Sequence, residues 1–173
     1  MSLSTATTTD VVYRILGVND QGPIAELRNQ KPEQIEELKA YYLALFEPEE
    51  ASAQAFPLVD RYLIAVRVAS HTNSVAVANW YADLAGKAGV EEAVVARARN
   101  VNESWDDNTP LGAAIRHADL LTTRPSAAQK SDLQALKDTG YTPAGIVSLS
   151  QTIAFVSYQL RLIAGLRAFG AAS

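Results

Sequence analysis

Cysteine is absent from this chain, and much chemistry leaves with it. Disulfides, thiolate nucleophiles, Cys-bound zinc and iron–sulfur clusters all need sulfur that the sequence does not supply. Histidine is scarce as well. His71 and His117 are the only two in 173 residues, and they do not form a pair at helical ligand spacing, so a dedicated transition-metal site is not expected. There is no dense Lys/Arg run and the net charge is −4, a balance that does not suit electrostatic binding to nucleic acid. The longest apolar stretches are interrupted by Arg67, Arg161 or Arg167, short of the roughly 20 clean residues of a membrane span. The opening MSLSTATTTD has neither the basic start nor the apolar centre of a secretory signal. The expectations are therefore no metal, no cofactor, no nucleic-acid partner, no membrane span and a cytoplasmic location.

What is present suits one globular domain. Hydrophobic residues make up 48% and charged residues 20% of the chain, enough to bury a substantial core. After a Ser/Thr-rich start through Thr9, expected to fray, Asp10 caps a short helix, VVYRILGV, that closes at Gly17. Pro23 opens a brief helix. Pro32 opens a longer one with Ile35, Leu38, Tyr41, Tyr42, Leu45 and Phe46 on one face. The segment EEASAQAF reads as a loop or linker. Pro57 starts a helix with an unusually wide apolar face, which calls for enclosure on most sides. It breaks at His71-Thr72-Asn73, and Asn73 or Ser74 caps a second helix ending at Gly89. A short helix begins near Glu91, with acids in its first turn and Arg97 and Arg99 in its last. Thr109 and Pro110 open LGAAIRHADLLT, and Ser131 to Gln134 has the spacing of a capping box. Thr142-Pro143 opens a long helix to about Ala168. No alternating strand pattern occurs, so the fold is expected to be all-α. Residues 1–9 form a tail, 10–55 a helical extension and 56–173 the core.

The segments RYLIAVRVA, KAG and AIRHADLLTTRPSAAQKSDLQALKDTGYTPAGIVSLSQTIAFVSYQLRLIAGL, in that order, resemble the AhpD-like and carboxymuconolactone decarboxylase superfamily from about Phe56 to Phe169. The likeness lies in pattern and element order rather than in one diagnostic motif. It implies an AhpD-like orthogonal helical bundle with two central buried helices and a long C-terminal helix. It also implies self-assembly into dimers or larger homo-oligomers.

In the peroxidases of that superfamily the first central helix carries a glutamate, and a Cys-x-x-Cys with a later histidine opens the second. Anchored on the RVA run and on Ala88-Gly89, those positions fall on Tyr62, Ser74, Val77 and Tyr81. A Ser/Val pair cannot perform thiol–disulfide chemistry. Tyr62 and Tyr81, with ordinary phenol pKa values near ~10, do not replace the acid–base relay. Decarboxylase-type members do not depend on thiols, so the missing cysteines do not exclude them.

The residues themselves allow two readings at each point. Ser74 is a nucleophile only if a base adjoins it, and His71, three residues earlier, is the nearest imidazole; otherwise Ser74 is a cap and His71 a polar helix end. Tyr62 and Tyr81 are hydrogen-bonding groups in a cavity between the central helices, or core aromatics. His117 reads as structural or surface. Arg67, seven residues after Asp60, forms a buried ion pair with it or meets an anion; Arg161 is similar. The ligand-binding candidates are Tyr62, His71, Ser74, Tyr81 and Arg67. The leading functional expectation is a cysteine-free superfamily member that binds a small organic molecule. The alternatives are a non-catalytic structural or regulatory subunit, assembling with itself or with a thiol-bearing relative, and family-type hydroperoxidase or decarboxylase activity through other residues.

Overall fold

The structure, a computed structural model, describes residues 10–172; the expected N-terminal tail lies outside them. The described residues form ten α-helices and no strand. They run α1 (Val11–Leu16), α2 (Pro23–Arg28), α3 (Pro32–Phe46), α4 (Glu50–Ala55), α5 (Leu58–His71), α6 (Val75–Lys87), α7 (Glu92–Arg99), α8 (Pro110–Thr123), α9 (Lys130–Asp138) and α10 (Pro143–Ala172). The protein is all-α.

Local chemistry sets most of the boundaries. The Asp10 carboxylate accepts from the Val12 and Tyr13 amides, and Gly17 closes α1 at φ 71°. Thr109 Oγ1 accepts from the Gly112 amide, with Pro110 in the first turn of α8. Two expectations are corrected. EASAQA is a helix, α4, although none of its residues is buried. The capping box of α9 is built from Gln129 and Asp132 rather than from Ser131 and Gln134.

α5 is the centre of the molecule. Every residue from Arg61 to Ala69 is buried, as expected of a helix enclosed by neighbours. It packs against α6, α7, α8 and α10. The N-terminal helices share the same hydrophobic cluster, through Val11, Val12, Ile15, Leu38, Leu45 and Phe46.

Arg61 shows how the extension is attached. Its side chain is fully buried and donates to Phe56 O, Leu45 O and Ser52 O at 2.9, 2.8 and 2.6 Å. Leu45 lies in the last turn of α3, where carbonyls lack intrahelical donors, and Ser52 O in α4 accepts from Arg61 in addition to the Phe56 amide. One guanidinium thus ties both short ends to α5, which is why a helix as weak as α4 persists.

α10 is long and apolar enough, over Pro143–Gly170, to cross a bilayer by length and composition, and half of an 18-residue apolar window within it is buried inside the protein. The helix runs unbroken through Arg161 and Arg167, as one long helix from Pro143, and ends a few residues past the expected Ala168. Its buried side packs on α3, α4, α5 and α8.

Candidate functional site

The residues singled out in the sequence fall in three places. His71 and Arg67, one turn apart on α5, meet Asp119 of α8. His71 Nε2 lies 2.6 Å from Asp119 Oδ1, and Arg67 donates Nε to Oδ1 at 2.7 Å and Nη2 to Oδ2 at 2.8 Å. The remaining Arg67 donors are also taken up internally, by the carbonyls of Asn100, Val101 and Glu103. Arg67 is only 2% exposed. It clamps the α7–α8 connection to α5, with each of its three guanidinium nitrogens bonded to the protein. The expected partner Asp60 is not the one used.

Asp60 instead sits without an ion pair or hydrogen bond to another described residue. Burial pushes its carboxyl up to about 6, because desolvation disfavours the charged form.

Ser74 stands at the N-cap of α6, just before Val75, but its side chain makes no capping hydrogen bond. Among the described residues no hydrogen bond joins it to His71, so a Ser–His pair is not assembled. Ser74 lines a cavity of about 470 Å³ between the helix break, the end of α8 and the later half of α10. Val77 is fully buried in the core.

Tyr81 is likewise fully buried. Its hydroxyl donates to Gln159 Oε1 of α10 at 2.9 Å, and desolvation holds the phenol well above its ordinary pKa. It is a neutral core hydroxyl.

Tyr62 has a different setting. It is 7% exposed and lies parallel to Phe46, with ring centroids 5.8 Å apart and an interplanar angle of 4°. Phe46 also touches Tyr81, centroids 4.8 Å apart, so that ring stands at the junction of the two tyrosines. The Tyr62 hydroxyl makes no hydrogen bond to another described residue. It lines a cavity of about 430 Å³ between α1, α3, α5 and α6, within the size range of small-molecule sites. Tyr42, Phe46 and Trp80 complete an aromatic wall. The Arg14 guanidinium stands 4.7 Å from the Trp80 ring centroid, a cation–π arrangement. The lining carries both signs, with Lys39 and Lys87 as well as Glu47 and Asp83. Burial and the Glu47 charge raise the Tyr62 phenol, and burial raises that of Tyr42. Both remain protonated donors at neutral pH.

Tyr62, His71, Ser74 and Tyr81 therefore do not converge on one cavity. Sequence reasoning missed Asp119, Phe46 and Trp80 as partners. Only Asp119 left a signal: Arg67 and His71 at i and i+4 put two basic groups on one helix face, which calls for an acid opposite. Among the described residues no group of three or more His, Asp or Glu is arranged to hold a metal ion.

What the fold and site define so far is an all-α protein with an aromatic cavity flanking its central helix. No known family model matches the chain, and no curated protein matches it.

Proposed function

We propose that the protein is a cysteine-free relative of the AhpD-like and carboxymuconolactone decarboxylase superfamily that binds a small, planar organic molecule in the cavity at Tyr62. One observation carries this reading. A tyrosine 7% exposed turns a hydroxyl with no protein partner into a cavity walled by other aromatic rings. Because that hydroxyl faces the cavity rather than packed protein, it is free to donate to an acceptor on a ligand. The flat faces of Tyr42, Phe46 and Trp80 suit stacking on a planar body. The mixed charges in the lining suit a polar edge rather than a strongly charged one.

The reading is of binding rather than thiol chemistry. A thiol peroxidase cycle oxidises two sulfurs to a disulfide and has no counterpart in a chain without cysteine. The His71–Asp119 pair is a base held by a carboxylate, but no nucleophile adjoins it. A melting-temperature screen with small aromatic acids, phenols and lactones tests the proposal. Ligands of the wild type should lose their effect in Leu84→Trp, which fills the cavity, and weaken in Tyr62→Phe. Hits that stabilise all three proteins equally would contradict it.

A second reading, self-association, is favoured by one feature. The outward side of α3 and α10 exposes Tyr41, Val147, Tyr158 and Phe169, each at 40–55%, more apolar surface on two adjoining helices than scattered exposure explains. Sedimentation equilibrium of the wild type and of Tyr158→Glu tests it. Dimers or larger species that the variant dissociates support it, and a monomer at micromolar concentration contradicts it.

A further inference from the structure

We infer that the cavity at the helix break, remote in character from the aromatic one, is a binding site for a small organic anion. Its lining includes Arg161 and Arg167 and contains no carboxylate. Neither arginine forms an ion pair with any described residue. Among the described residues the Arg161 side chain donates only to Ser157 O, at 2.7 Å, and the Arg167 side chain makes no hydrogen bond. No acidic residue occurs anywhere between Pro143 and Ala172, so the positive charge on this stretch of α10 is unbalanced in a chain whose net charge is −4. Arginines that serve as structural anchors look different here. Arg61 and Arg67 are buried and use their donors on the protein.

The rest of the lining fits the same guest. Ser74 and Asn73 contribute side-chain donors that no other described residue takes up, opposite an apolar floor that includes Leu160. Guanidinium forks match carboxylate and phosphate oxygens, hydroxyl and amide donors complete their coordination, and the apolar floor takes a short hydrocarbon body. The shared chemistry is an oxyanion head on a small organic molecule, either a carboxylate or a phosphate ester.

The test is an NMR titration of the ¹⁵N-labelled full-length protein at constant ionic strength. Inorganic phosphate is used in one arm and hexanoate in the other, followed at the Asn73 and Ser74 amides. A saturable shift in at least one arm is expected. It should weaken at least tenfold in Arg161→Gln/Arg167→Gln and stay unchanged in Lys137→Gln, an exposed residue of α9 that does not line this cavity. Saturation by phosphate alone would assign the ligand to phosphate esters, and by hexanoate alone to carboxylates; either supports the site. Should the double variant lose its fold, Arg167→Gln, which removes no contact, gives the same reading. No saturable shift in either arm, or shifts that the arginine variants leave untouched, would overturn the inference. The Tyr62 cavity is untouched by these variants, so the two sites succeed or fail separately.

Discussion

His71 Nε2 stands 2.6 Å from Asp119 Oδ1, and that carboxylate also receives the Arg67 guanidinium through both of its oxygens. The carboxylate is the hub, because Arg67 is 2% exposed while His71 has solvent on one side. Asp119→Ala strands a buried cation, which costs about 3 kcal/mol. His71→Ala leaves the Arg67–Asp119 pair intact and costs about 1 kcal/mol or less. Urea denaturation of the two variants should show this asymmetry, and equal losses would mean that His71 carries the packing instead.

Arg61 leads to the second prediction. Arg61→Met would remove the donors of the Leu45, Ser52 and Phe56 carbonyls and cost about 3 kcal/mol. Arg61→Lys would recover only part, because an ammonium lacks the fork that reaches three separate carbonyls. Hydrogen exchange should show α4 losing protection first. Protection of α4 unchanged in Arg61→Met would show that α4 does not depend on this contact.

Asp60 gives the pH dependence. Its carboxyl titrates at about 6 in the folded protein against 3.8 when unfolded. An acid with a raised folded pKa binds its proton more tightly in the folded state. Its penalty is therefore absent below about pH 4, grows between 4 and 6, and is fully present above 6. Asp60→Asn should stabilise the protein at pH 7.5 by roughly 1–3 kcal/mol, allowing for partial solvent screening, and have little effect at pH 4. A gain that is the same at both pH values would place its origin elsewhere.

Gly112 tests the packing that carries the loop before α8. A Cβ there would collide with the backbone carbonyl of Asp106. Gly112→Ala has to push the loop outward and should cost about 1–3 kcal/mol, despite alanine's better helix propensity. A variant as stable as wild type in thermal unfolding would show that the loop yields freely.

The all-α class was legible because helix starts and stops are local chemistry. Asp10, Gly17, Thr109 and Pro110 act on backbone groups within a turn or two of themselves. α4 was not legible, because EASAQA has no apolar stripe and is held from outside by Arg61, nine residues beyond Ser52. Tyr41 reads as a core residue on periodicity yet is 40% exposed, since α3 has α10 and α5 on one side only. The site was legible residue by residue but not in its grouping. Tyr62 and Ser74 both line cavities, but different ones, and which wall each helix presents depends on neighbours more than 30 residues away. The Arg67–Asp119 pairing spans 52 residues, whereas the i, i+7 spacing to Asp60 was the only partner visible locally.

The most direct test of the central claim follows the two tryptophan indole N–H signals by NMR during titration with a ligand found by screening. Trp80 lines the Tyr62 cavity and Trp105 does not. The Trp80 signal is expected to shift saturably with Trp105 unmoved, an effect weakened at least fivefold by Tyr62→Phe, about 1 kcal/mol. A ligand that shifts neither indole, or that binds Tyr62→Phe as tightly as wild type, would contradict it.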